Sequence, residues 1–194
     1  MKTPRRSAPC KTSSISSTPA GREAATAASR QKIYVGCDHA AVAAKSVVVE
    51  ELRALDFDVI DVGTDGAASV DYPDYAEKVA RAVAAGEAPS GVLLCGSGIG
   101  MSIAANKIAG VRAALVHDVT GAELSRRHND ANVLVLGGGM LGDRLIRDIV
   151  RTWVQSEFEG GRHRLRVDKI RALERSGSDA ETQRPVEPDG HQRR

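Results

Sequence analysis

The residues best placed to do chemistry lie in Gly91-Val92-Leu93-Leu94-Cys95-Gly96-Ser97-Gly98-Ile99-Gly100-Met101-Ser102, where an apolar run delivers a thiol into three alternating glycines. Glycines let the backbone approach a ligand, and the first N–H groups of a following helix are unpaired donors at the positive end of its dipole. That combination suits an anion. Cys95 stands at its mouth, and a thiol beside a helix N-terminus can have a depressed pKa, so it can act as a nucleophile or as a base. Taken alone, a strand-end cysteine is more often a small core residue, and the glycines also suit a tight packing turn. The spacing is GxGxG rather than GxGxxG, and no acidic residue ends the next strand at the proper distance, which argues against a dinucleotide site.

Four other groups carry candidate side chains. Asp38-His39 follows a strand and precedes a helix, where Asp is either a ligand-orienting carboxylate or an N-cap. Asp71 and Asp74, around Pro73, read as structural residues of a loop closing into a helix, with Asp74 suited to the cap. His128-Asn129-Asp130 falls between a helix and the last strand, at the far end of the sheet from Cys95. Within one subunit His128 is therefore a surface histidine, and it meets Cys95 only if a second subunit supplies it. Arg162 and Arg166, with His163 between them, stand four apart; on a helix they form either a solvated face or a fork for phosphate.

The elements that must position these groups alternate regularly. Strands are expected at Lys32–Cys37, Phe57–Val62, Gly91–Cys95, Val111–Val116 and Val133–Leu136, and helices at Ala40–Leu55, Asp74–Ala85, Gly100–Lys107, Thr120–His128 and Gly142–Phe158. Strands that are continuously Val, Ile and Leu are buried on both faces, which implies a parallel sheet with right-handed crossovers. The expected fold is α/β, a Rossmann-like three-layer sandwich on a five-stranded parallel sheet, with ligands beyond the carboxyl ends of its strands.

At 194 residues, one domain with tails is expected: 31–173 as the domain, 1–30 as a disordered extension rich in Ser, Ala and Arg, and 174–194 as a solvated tail. The net charge of +2, from 27 basic and 25 acidic residues, and the 3% aromatic content give no sign of a nucleic-acid surface. Apolar runs fall short of the ~20 residues that cross a bilayer. Three cysteines without CxxC spacing or a nearby His pair predict neither a disulfide framework nor zinc. The cytoplasm is the expected location, with an organelle as the alternative if residues 1–30 are a transit peptide.

Several blocks together resemble one family, the type B ribose-5-phosphate isomerases and the related galactose-6-phosphate isomerase subunits. They are Gly36-Cys37-Asp38-His39-Ala40, Val70-Asp71-Tyr72-Pro73-Asp74-Tyr75-Ala76, Cys95 to Ser102 with Ala104-Ala105-Asn106-Lys107, His128-Asn129-Asp130-Ala131-Asn132 and Glu157 to His163, in matching order over about Lys32 to Leu173. The resemblance implies interconversion of ribose 5-phosphate and ribulose 5-phosphate through a cis-enediolate, without metal or organic cofactor. It implies that Cys95 is the base, that His128 assists ring opening, and that Ser97 with the amides of Gly96, Gly98, Ile99 and Gly100 receives the enediolate oxygens. Asp38 would orient the sugar, Asn129 would bond its oxygens, and His39, Arg162 and Arg166 would hold the phosphate. It further implies a homodimer or tetramer whose sites lie between subunits, with His128 and Asn129 coming from the partner. One branch of the family uses a glutamate base where this chain has Met101, so Cys95 places it in the cysteine branch. Gly139 departs from the pattern, because the family usually carries an arginine there. The alternatives that follow are an isomerase of a hexose 6-phosphate, allose or galactose, or a sugar-phosphate-binding module with little turnover.

Overall fold

The computed structural model describes residues 30–182, with side chains through Glu174. The expectations for residues 1–29 and 183–194 lie outside the described residues. The elements are β1 Lys32–Cys37, α1 Val42–Ala54, β2 Asp58–Asp61, α2 Tyr72–Ala84, β3 Ser90–Cys95, α3 Ile99–Ala105, β4 Ala113–Leu115, α4 Val119–Asn129, β5 Val133–Gly137, α5 Asp143–Gln155 and α6 Gly161–Thr182. The strands pair in parallel in the order β2-β1-β3-β5-β4, and helices cover both faces, as the continuous apolar strands predict.

Burial explains the strand composition. Every residue of β3 and β5 is buried, whereas the edge strands β2 and β4 are only partly covered. Alternate side chains enter two cores. Val92, Leu94, Leu134 and Leu136 pack with Trp153 and the apolar stripe of α1 and α5 on one face. Leu93, Cys95, Val133 and Val135 pack with Met101 and the inner stripes of α2 and α3 on the other. Each Leu, Val or Ile so buried contributes about 1.5–3 kcal/mol.

Several boundaries differ from expectation. Helix α2 begins at Tyr72, because Pro73 fits the first turn, where a helix leaves its N–H groups unpaired. Asp71 is then the N-cap residue, without a side-chain bond, and Asp74 is not the cap but a first-turn acid near the positive end of the dipole. A single 3-10 turn, His39–Ala41, precedes α1. Strand β4 is shorter than Val111–Val116. Helix α5 stops at Gln155 rather than Phe158 because Ser156 turns extended (φ −88, ψ 137). Helix α6 passes the boundary expected at 173 and runs to Thr182; extending a formed helix costs little per residue.

Strand β1 has β2 on one side and β3 on the other, so the chain winds outward in opposite directions from the crevice between β1 and β3. In such sheets that switch point is where ligands bind.

Candidate active site

The ends of β1 and β3 meet at this crevice, where the Asp38 amide donates to the Leu94 carbonyl (3.2 Å). Cys95 ends β3 at 5% exposure, and its sulfur accepts the Gly98 N–H at 3.1 Å. Gly98 caps α3 in the left-handed region (φ 78). A Cβ there would lie 2.5 Å from Leu115 Cδ1 and 3.0 Å from the Leu136 carbonyl carbon, so conformation and space both require glycine. Ser97 Oγ accepts the Ile99 N–H (3.3 Å). The Gly98 and Ile99 amides are therefore already engaged, by the sulfur and the hydroxyl of their own loop. The triple glycine after β5 braces this loop from the other side: Gly138 and Gly139 donate to the carbonyls of Cys95 (2.8 Å) and Gly96 (3.0 Å).

Asp38 is buried, and its Oδ1 accepts the Ala40 N–H (3.0 Å). It is thus a cap, and among the described residues its second oxygen has no hydrogen-bond donor. His39 is half-buried beside it, and its Nδ1 accepts the Val70 N–H (3.2 Å). Tyr72, which the sequence did not single out, lays its ring over the glycine loop: a Cβ on Gly100 would sit 2.5 Å from the ring's Cζ. The available signal was positional, since the connection that ends at Tyr72 follows β2 at the same sheet edge. Met101 is fully buried and serves packing. Cys37 is buried too; burial pushes its thiol up to about 11, and it donates to the Thr64 carbonyl.

The second half of the expected site lies at the opposite edge of the sheet. Helix α4 leaves the carboxyl end of β4 and returns to the amino edge, where Arg112, just before β4, donates through Nε to the Asn129 carbonyl (3.2 Å) and pairs with Asp130. The six residues of β3 separate the two edges by roughly 17–20 Å. The chain thus brings Cys95, Ser97, Asp38 and His39 together, but not with His128, Asn129, Arg162 or Arg166.

At that far edge His128 stacks on His163, with ring centroids 4.1 Å apart and planes within 4°. Gly160 and Gly161, both left-handed (φ 66 and 52), fold α6 back so that His163 is buried against α4 while Arg162 and Arg166 stay exposed on its outer side. Glu159 Oε2 lies 3.8 Å from His128 Nε2 and 3.7 Å from His163 Nε2. Its other oxygen is held by Arg127, whose hydrogen bond keeps the carboxyl below its usual range. Burial, with help from His128, Arg162 and Arg166, pushes the His163 ring down. His128, Glu159 and His163 bring their ligand atoms within 4.8 Å of one another. Arg162 nevertheless donates to His163 Nε2 (3.3 Å), and with Arg127 and Arg166 nearby the cluster is cationic, which suits an anion better than a metal ion.

Comparison with known proteins places this arrangement. The family model described as Ribose/Galactose Isomerase matches residues 33–170. The chain is 47% identical to ribose-5-phosphate isomerase B of Escherichia coli over 144 residues, 74% of this chain and 97% of that protein. The solved ribose-5-phosphate isomerase B of Clostridium thermocellum is 48% identical with a TM-score of 0.74, covering 76% of this chain and 99% of that one. The type B ribose 5-phosphate isomerase of Trypanosoma brucei is 45% identical with a TM-score of 0.72, covering 74% and 99%. Among the described residues no helix is long and apolar enough to cross a membrane.

Proposed function

The chain belongs to the ribose/galactose isomerase family, and on that premise we propose that it interconverts ribose 5-phosphate and ribulose 5-phosphate, with Cys95 as the base. The observation that carries this is the thiol at the switch point, bonded to the amide of a glycine loop, with the backbone of Asp38 held to the end of the same strand. The Cys95 thiolate removes the C2 proton of the open-chain aldose, and the C1 carbonyl oxygen becomes the enediolate oxygen. Returning that proton to C1 while the O2 hydroxyl proton passes to O1 leaves a C1 hydroxyl and the C2 ketone. Ser97 and the amides of Gly96 and Gly100 stabilise the charge that moves between O1 and O2, the kind of preorganised contact that is often the largest catalytic term; the Gly98 and Ile99 amides hold the loop itself. Asp38 orients the sugar, and His39 meets its anionic end.

His128 opens the furanose ring, Asn129 bonds the sugar, and Arg162 and Arg166 bind phosphate. Because they sit at the far sheet edge, they act on the site of a second copy in a homodimer or tetramer. Exposed Ile99 and Ile103 on α3, beside the Cys95 loop, and exposed Leu165 and Leu173 on α6 support such an interface, since burying them adds apolar area. A cytoplasmic location fits the free thiol in the site.

The test is conversion of ribose 5-phosphate by the full chain, with allose 6-phosphate in parallel. Wild type turns over the pentose, and Cys95→Ala loses about 10²–10⁴-fold in kcat while still binding substrate. Preference for the hexose would reassign the substrate, and turnover unaffected by Cys95→Ala would overturn the mechanism.

A further inference from the structure

The connection between β2 and α2 is strapped to the body at its two ends by quite different bonds. At the first end, Lys45 of α1 is 3% exposed, and its Nζ lies 2.8 Å from Asp61 Oδ2 and 2.5 Å from Asp65 Oδ1. An ammonium so buried is costly unless paired. Here burial pulls its pKa down, but the two carboxylates outweigh burial and leave it raised, so the charge is kept. Asp61 also accepts the Gly63 N–H (2.9 Å), and the Thr64 amide donates to the Cys37 carbonyl (3.2 Å). Gly63 fits so closely that a Cβ would lie 2.7 Å from the Cys37 nitrogen and 3.0 Å from Lys45 Cδ. Between the ends, residues 66–69 are exposed. At the second end, the Val70 N–H reaches His39 Nδ1, and Tyr72 follows on the glycine loop.

A backbone N–H can only donate, so the nitrogen it reaches must carry the lone pair. In the neutral ring the proton then sits on Nε2. We infer that Lys45 is a positioning residue: by pinning the β2–α2 connection it keeps the Val70 amide on His39 Nδ1, and so presents His39 to the substrate's anionic group as an Nε2–H donor. Lys45 itself touches no substrate. The inference rests on His39 binding substrate, as proposed above, but its main readout needs no substrate.

That readout is the tautomer of His39 in the full-length protein labelled with 15N-histidine, seen in long-range 1H–15N spectra and assigned by the loss of its signals in His39→Gln. Wild type shows a bare Nδ1 and a protonated Nε2. Lys45→Met mixes the tautomers and raises KM for ribose 5-phosphate about tenfold, with kcat changed much less, as expected for a loosened anion contact. Lys45→Arg keeps the charge and recovers most of both. If Lys45→Met fails to fold, Asp65→Asn carries the test, because that carboxylate is 90% exposed and its loss loosens only the connection. A wild-type Nδ1–H overturns the inference even in an active enzyme, as does a folded Lys45→Met with tautomer and KM unchanged. If wild type turned over no sugar phosphate while the tautomer shift appeared, the assigned activity would fail and the positioning role would stand.

Discussion

Gly139 shows how one residue shapes the pocket. Its amide braces Gly96, and an added Cβ would lie 3.1 Å from the Gly96 carbonyl oxygen, a distance that asks the loop to give by a few tenths of an ångström. An arginine there would restore the cation that the family resemblance implies at this position as a phosphate contact. A charge-assisted contact of about 1.5–3 kcal/mol corresponds to roughly ten- to a hundredfold in binding. We expect Gly139→Arg to lower KM for ribose 5-phosphate about tenfold, part of the gain being spent on the displaced loop, and Gly139→Ala to leave KM unchanged; steady-state kinetics of the two variants measure both. The thiols divide in the same manner. Cys37, fully buried and pushed up to about 11, stays a thiol and packs, whereas Cys95 faces the loop amides. Both sit where apolar strands end, and in the sequence only the glycine loop that follows Cys95 tells them apart. What separates them is the partner, a carbonyl for one and an amide for the other.

Two connections do most of the positioning at the scale of elements. The turn from β3 to α3 depends on a left-handed Gly98 wedged against Leu115 and the β5 backbone. Gly98→Ala should cost about 2–4 kcal/mol in thermal or denaturant unfolding, from the left-handed penalty plus the clash, and turnover should fall with it because the amide bonded to Cys95 moves. The seam between α4 and α6 gives a pH signature. His163 is pushed below its ordinary 6.5, so as pH falls through that value the unfolded chain takes up protons before the folded one does, and the native state loses stability. Melting temperature should drop between pH 7 and pH 5, and His163→Asn should flatten that slope; an equal slope in both proteins would place the titration elsewhere. Element type was legible here from the apolar runs. The ends of α2 and α5 were not, because Pro73 is as compatible with a first turn as with a loop, and Ser156 leaves the helix only where residues 156–160 pass beside α4, with Glu159 bonded to the Arg127 carbonyl.

For the whole molecule, the decisive feature is that the two sets of proposed substrate residues stand at opposite edges of one sheet. If each completes the site of another copy, two inactive variants repair one another. An equimolar mixture of Cys95→Ala and His128→Ala, unfolded and refolded together, should regain about a quarter of wild-type activity, the share of sites in randomly paired dimers that keep both residues. Each variant refolded alone should stay inactive, and a mixture that also stays inactive would sink the shared-site arrangement.

The sequence alone determined the parallel sheet, the glycine loop with its thiol and the family, because burial period, glycine demand and motif spacing are all written along the chain. It also placed His128 at the far edge, since a helix that follows a parallel strand must return to the other end of the sheet. Only the tertiary structure decided the rest: that Gly98 and Ile99 already spend their amides on Cys95 and Ser97, that Tyr72 covers Gly100, and that Lys45 reaches Asp61 and Asp65. Those contacts join residues from separate elements, and which partner a donor finds depends on angles and distances that no local pattern encodes.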